Sequence, residues 1–594
     1  SSKSVNVSQY LQRIPVDQVL RIDLIRGGAP GIDMQGKPVV ANVIRKSGDS
    51  WQGLVVFADR WVVEDGRMLP ALRVEGSRNF DGKLWEGSVV GGGGIDDGAG
   101  DGPRIRLGPN GEPLLRGQVK SEGDAWNVTG NTAYETPLFG GRLRANARLF
   151  YNMYQFDQED FLPGDIREVE DFRETEHAGE VGLRHTQPLG AGTTAEVFAI
   201  QRYERRHVTA EFDAPGFSAD FDTNGKTSES IGRVVLKHAL TPTIALEGGA
   251  EGAFNALDGR TRYAENGVPI ALPAANVEVQ EKRGEAFATA TWRASPKLTL
   301  EGGLRAEIST ITSEGDVELE KTLNFLKPRG LVTWTPAEGW QVRARVEREV
   351  GQLNFDDFVA SQNLSAGAVL VGNPDLNPAQ SWVFEAALER RFWTSGAIVL
   401  TARHMELKDV VDRVPIFTPA GEVFDAPGNL GEGTQQELAV SLSLPLERVG
   451  VKGGLLRASS TWRKSEVIDP TTLEERRISG QHPVDWEIHF TQDLPAWNVN
   501  WGVDLFGGWR ETRYRFNEIE TRKLRPFLLP FVEYKPRPDI TVRLEMPNAT
   551  GRPLIRHRKT YGGPRSSHPL LYTDSVYFEM SPMFYLRIRK TLGG

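Results

Sequence analysis

From about residue 51 onward, apolar and polar positions alternate with a period of two. Between 298 and 308, Leu298, Leu300, Gly302, Leu304, Ala306 and Ile308 fall on one face, and Thr299, Glu301, Gly303, Arg305 and Glu307 on the other. Trp340, Val342, Ala344 and Val346 alternate with Gln341, Arg343, Arg345 and Glu347. Val499, Trp501, Val503 and Leu505 do the same, as do Ile540, Val542 and Leu544, and the last segment, Met583–Leu592. Successive side chains of a strand point to opposite sides, so each segment reads as a strand with one apolar and one polar surface.

The connections show a second regularity. Short turns rich in Pro and Gly recur at 79–84, 136–142, 187–193, 240–243, 294–297, 335–340, 392–397, 444–453, 493–498 and 535–539. Longer polar stretches lie between them, at 64–69, 95–122, 157–172, 208–224, 257–276, 313–323, 352–378, 408–431, 465–484, 508–522 and 548–574. Ten turns and eleven loops in strict alternation join 22 antiparallel strands. An even count, with short turns at one end and long loops at the other, is the layout of a transmembrane β-barrel of the bacterial outer membrane. The first strand is placed near Trp51. The alternative is a hairpin around Glu122, Gly123 and Asp124, which would move that start to near Leu69. Residues 1–50 differ: a short helix from Val16, a strand at 21–25 and a second at Val39–Arg45 make a small α/β piece, too short to hold its own core.

Composition alone suggests a soluble chain of several domains: 594 residues, 39% hydrophobic, 25% charged, mean hydropathy −0.38. Two-faced strands explain those averages. No apolar run approaches the ~18 residues of a membrane helix, but a barrel hides its membrane signal in alternation. The polar faces carry charges of both signs, as a wet lumen would. Phe139, Trp292, Trp334, Trp340, Phe392, Trp393 and Trp497 sit beside the short turns, like an aromatic girdle. No repeat of propeller length is present.

The remaining chemistry is mostly exclusion. A net charge of −9 argues against a nucleic-acid partner. Zero Cys excludes disulfides, thiolate nucleophiles and Cys-ligated zinc. Nine scattered His give no metal motif, and the run from Asp96 to Gly102 lacks the EF-hand pattern. No P-loop or nucleophile elbow appears, so neither an enzyme nor a resident cofactor is expected. The opening at Ser1 has no basic segment and no apolar core, which fits a mature or incomplete chain better than one beginning with a signal peptide.

Three blocks carry a family resemblance. The first runs from Ile14-Pro15 through Arg21-Ile22-Asp23-Leu24-Ile25-Arg26-Gly27-Gly28 to Asn42-Val43-Ile44-Arg45. The second is Gly372-Asn373-Pro374-Asp375-Leu376-Asn377-Pro378, followed by Trp382 and Glu385. The third is Gln435-Gln436-Glu437-Leu438 at a strand start. Together they resemble the TonB-dependent outer-membrane receptors. The resemblance implies an all-β membrane protein, a 22-stranded antiparallel barrel over 51–594 with a small α/β plug segment inside. Residues 1–50 would be the C-terminal part of the plug, its N-terminal half and TonB box lying upstream of Ser1. The final strand departs from the family in ending Thr591-Leu592-Gly593-Gly594 rather than on an aromatic residue.

The resemblance also implies roles. Arg26 matches a plug arginine, and Glu385 and Glu437 match the two barrel glutamates that face such arginines as a plug–barrel lock. Ala29, Pro30, Ile32, Asp33, Met34 and Gln35 would form a plug apex touching ligand. Phe355 and Phe358, in a long loop, could clamp a ligand or pack loop against loop. Arg552, Arg556, His557, Arg558 and Lys559 make a basic loop suited to an anionic ligand or to lipopolysaccharide phosphates, or else a solvated face. Expected partners are the inner-membrane TonB complex, outer-membrane lipid and lipopolysaccharide, a small-molecule or metal-chelate ligand and an envelope lipoprotein. The expected function is import of a scarce nutrient across the Gram-negative outer membrane, by default a ferric siderophore. An oligosaccharide importer and a non-transporting anchoring barrel are the alternatives.

Overall fold

The computed structural model describes residues 19–26, 39–45, 49–96, 98–364, 368–393, 395–417 and 421–593. Among these, 22 strands form a closed antiparallel barrel, sealed where Ser50–Val62 pairs with Met583–Leu592. The barrel starts at Ser50, next to the expected Trp51. The alternative hairpin at 122–124 is absent, because Pro113–Leu138 runs through it as one strand. The two N-terminal strands, Val19–Arg26 and Val39–Arg45, pair with each other as an antiparallel hairpin. The second has the expected bounds. The first begins two residues before the expected 21, and the helix expected from Val16 has its start outside the described residues.

The alternation sets the facing. Leu304 and Ile308 are about half exposed on the outer surface, as are Val181 and Leu183 on a strand five places along the wall. Their polar neighbours turn inward and pair across strands: Lys327 Nζ to Glu285 (2.5 Å) and Glu307 (2.8 Å), and Arg329 to Glu301 (3.2 Å). A water-soluble protein buries its apolar face. This one exposes it, as lipid contact requires.

The short turns are tight. In Asp81-Gly82 and Phe139-Gly140 both central residues have positive φ (49° and 70°, 51° and 77°). That is the geometry of two-residue hairpins, whose twist matches the strands they join.

Several stretches expected as loops are instead wall. Pro113–Leu138, Gly141–Leu162, Ile166–Gly190, Thr193–Ala214 and Phe217–Ala239 have 22 to 26 residues each. A tilted strand crosses a bilayer in ~9–11 residues, so these rise far beyond it. They read as loops because charged residues and turn residues such as Pro215-Gly216 crowd them beyond the membrane, where the outer face becomes polar. Opposite them, Trp509–Tyr514, Glu518–Leu524, Pro553–Tyr561, Leu570–Glu579 and Gly102–Leu107 continue the wall as a second tier above shorter strands.

One seam is short. Leu319–Trp334 pairs along its whole length with Leu298–Gly315, but on its other side only Arg329–Trp334 pairs, with Trp340–Val350. The ladder stops where Pro328, lacking an N–H, would be next. Arg348 Nη1 donates to the carbonyl of Leu326 (3.3 Å) beyond that break.

Candidate functional site

The extracellular mouth is narrowed by two loops that fold together. Ser361–Asn363, Ala368–Leu370, Val411–Phe417 and Val423–Asn429 form a four-stranded sheet from the stretches 352–378 and 408–431. Its residues Ala360, Leu364, Val371 and Ala426 pack on Ala210, Phe212, Ala219, Phe221 and Tyr263 of the wall. Ala210 and Phe212 share the parity of lumen-facing Arg202 and Arg206, and Ala219, Phe221 and Tyr263 pair across the neighbouring strands with that same face, so the sheet lies on the inner surface and caps the lumen.

Phe355 and Phe358 belong to that cap. Phe358 is fully buried, in a core with Leu257, Val277, Val279, Ile311 and Leu376, and Phe355 stacks on it at 5.3 Å. Phe358 therefore anchors its loop to the wall. Phe355 is half-buried at the edge.

Buried charges stitch the other loops to the cap. Arg476 donates to Asp412 (2.7 Å) and Asp469 (2.6 Å), and Arg565 donates to Asp469 (2.7 Å). Tyr514 lies under both guanidiniums, at 4.5 and 5.7 Å. Asp425 accepts from the Phe516 N–H (3.0 Å). The stretches 408–431, 465–484, 508–522 and 548–574 thus share one network. Nothing local in the sequence announces it, since each pair spans separate loops.

The basic loop is not a solvated patch. Arg552, Arg556 and Arg558 are buried in the second tier, His557 is half-buried, and only Lys559 is exposed. Arg558 and Arg556 lie across from Glu520 and Arg522 on one side and Asp574 and Val576 on the other. Burial, with Arg558 and Arg522 close by, pushes the Arg556 guanidinium down to about 10. The Asp574 carboxylate, where burial is outweighed by Arg104 and Arg106, is held below its ordinary range.

Lower in the lumen, the two glutamates nominated for the lock stand one arginine apart. Arg403 donates from Nε to Glu385 (2.5 Å) and from Nη1 to Glu437 (2.8 Å). Arg345 also reaches Glu385 (3.3 Å), and Arg463 joins Glu437 (3.1 Å) to Asp485. Asp485 in turn holds His482 (2.9 Å), whose ring stacks on Trp509 at 4.8 Å. The result is a belt of alternating charge across neighbouring strands. Its arginines were missed by the sequence reading, although Arg345, Arg403 and Arg463 all fall on polar faces of alternating strands. Arg26 ends the strand Val19–Arg26, but its side chain, and the apex residues Ala29 to Gln35, lie outside the described residues. Among the described residues, no group of three His, Asp or Glu is placed to hold a metal ion. Asp96 instead accepts from Tyr154 Oη (2.6 Å) and the Gly98 N–H (2.7 Å).

Similarities to known proteins agree with this architecture. Solved structures that resemble the chain include the copper transporter OprC, at 11% identity over 98% of this chain and 89% of that one, with a TM-score of 0.62. The FrpB iron transporter of Neisseria meningitidis matches at 11% identity over 97% and 88%, TM-score 0.62. The ferric yersiniabactin uptake receptor FyuA of Yersinia pestis matches at 12% over 97% and 85%, TM-score 0.59. At such identities the likeness speaks for the fold alone. No curated protein sequence is similar enough to count as a relative. The family described as "TonB dependent receptor-like, beta-barrel" matches residues 73–542, well over half of the sequence. The chain therefore belongs to the TonB-dependent receptors, transporters of the Gram-negative outer membrane rather than enzymes.

Proposed function

We propose that this receptor captures a scarce extracellular solute at its capped mouth and releases it to the periplasm when the inner-membrane TonB complex pulls on the plug. The observation that carries this reading is the cap, a folded sheet laid on the inner wall above a lumen lined with exchangeable ion pairs. A passive pore has no use for such a closure. The cargo is a metal chelate, by default a ferric siderophore; the resembling structures described as copper, iron and ferric yersiniabactin receptors support that class. In this scheme Ala29 to Gln35 form the floor of the ligand site, with Phe355 at its rim. Arg26 exchanges with Arg403 on Glu385 and Glu437 as the plug shifts. Ion pairs open to water suit this exchange because each is weak and replaceable.

The test is uptake by cells lacking the receptor, with and without the restored gene, using radiolabelled ferric chelates, copper complexes and oligosaccharides. Gene-dependent accumulation of one metal complex is expected. Accumulation of an oligosaccharide alone would replace the cargo class, and no gene-dependent uptake of any solute would defeat the transport reading.

A further inference from the structure

A cavity lies at the opposite end of the lumen from the cap. It occupies about 420 Å³ beside the seam between the first and last strands. Lys535 and Thr541 on its rim flank the short turn at Arg537 and Ile540, which places it at the periplasmic end. Its floor is apolar, from Leu54, Val56 and Ala58.

The walls are cationic. Arg73, Lys535, Arg543, Arg587 and Arg589 line it, and Glu533 is the one carboxylate among the lining residues. Two neighbouring carboxylates hold part of that charge. Glu75 accepts from Arg73 (2.7 Å), and Glu545 accepts from Arg543 and from Arg587 (2.9 Å). Five cations against these three carboxylates still leave an excess of two, in a chain whose net charge is −9. The excess is localised. Lys535 meets only Glu533, at 3.5 Å, and Arg589 is exposed with no carboxylate in reach among the described residues.

An excess of cations in a concave recess concentrates anions. The planar guanidinium fork matches carboxylate and phosphate oxygens. The apolar floor strengthens such contacts by excluding water. Arg543 and Arg587 are fixed by Glu545, whereas Lys535 and Arg589 are free to close on a ligand.

We propose that this recess is an exit site that binds an anionic group, a carboxylate or phosphate, on the solute leaving the lumen. Its role in passage rests on the transport reading above; its ability to bind an anion does not. The cargo is on this account an anion, and it meets this cationic recess before release.

The experiment is calorimetric titration of the purified full chain in detergent with citrate and with inorganic phosphate, and with glucose as a neutral control. Saturable binding of at least one anion is expected. The Lys535→Gln, Arg589→Gln double variant should weaken it tenfold or more, and Glu533→Gln should tighten it severalfold. Heat-modifiable gel mobility reports that each variant still folds as a barrel. Absence of saturable binding, unchanged affinity in the double variant, or weaker binding in Glu533→Gln would each overturn the proposal. Anion binding with no uptake of any solute would leave the site standing and remove the transport reading. Uptake without anion binding would do the reverse.

Discussion

Arg403 binds Glu385 and Glu437 at once, at 2.5 and 2.8 Å, so one guanidinium bridges these two lumen carboxylates. It remains partly open to water, unlike the carboxylates it bridges. Arg403→Met should therefore cost a moderate ~1–3 kcal/mol, the range for hydrogen bonds to charged groups. Denaturant unfolding in detergent measures it. A double-mutant cycle with Glu437→Gln should give a coupling of about 1 kcal/mol, and additive effects would deny the bridge.

The outward facing of Leu304 can be tested by depth. Leu304 lies six residues from the turn-proximal Leu298, near the middle of the apolar band, whereas Trp292 sits beside the short turn. Leu304→Arg should cost about 2–4 kcal/mol and Trp292→Arg about 0–1. Reversible unfolding from lipid vesicles reads both. Equal costs would contradict the placement.

Phe358 is the largest fully buried side chain of the cap among the described residues. Phe358→Ala should destabilise the cap by about 3–5 kcal/mol and expose the stretch 352–378 to limited proteolysis, with the barrel intact. A cleavage pattern like that of the unaltered protein would show that Phe358 does not anchor it.

The cap also has a pH dependence. Asp425, outside the membrane, is pushed up to about 6 by burial, against the Phe516 N–H, Arg515 and Arg413, with Glu518 adding repulsion. An unfolded Asp titrates near 3.8. Between those values the folded cap holds a proton that the unfolded chain has lost, so its stability falls as pH rises through that window. Hydrogen exchange in 408–431, corrected for intrinsic rates, should show stronger protection at pH 5 than at pH 7.5, by ~1–2 kcal/mol. Asp425→Asn should flatten the difference. Asp469 has the opposite sign. Burial there is outweighed by Arg565 and the Thr472 and Thr471 N–H groups, its carboxyl lies below the ordinary range, and its contribution is lost only in stronger acid.

Asp469 joins 465–484 to 548–574 through Arg565, and Arg476 beside it reaches on to Asp412 in 408–431, all nearly buried. Asp469→Asn leaves two buried cations short of a partner and should cost roughly 3–5 kcal/mol. Exchange protection should drop together in 465–484 and 548–574. A loss confined to 465–484 would mean that the loops are not one unit.

Strands and turns were legible because alternation and turn chemistry are local. Met583–Leu592 and Val39–Arg45 carry the bounds read from their residues. Pairing was not legible. Arg104 is held by Asp574, 470 positions away, and no sequence window contains both. The cluster from Arg552 to Lys559 read as a basic surface for the same reason: its counter-charges, Glu518, Glu520 and Asp574, arrive on neighbouring strands. The extended walls were missed in stretches such as 208–224, where the outer face turns polar (Thr209, Glu211, Asp213, Asp220) and the apolar side (Ala210, Phe212, Ala219, Phe221) faces inward against the cap, since a strand above the membrane no longer needs an apolar outer side.

Pro328 gives the wall a preferred line of parting. Six ladder positions join Leu319–Trp334 to Trp340–Val350, while eleven join the latter strand to Gln380–Phe392. Sideways tension on this cylinder, from bilayer stress or a pulled plug, would concentrate at that join. Opening there breaks fewer backbone bonds than opening the next join along, and Arg348, clasping the carbonyl of Leu326, would be the first tie to slip.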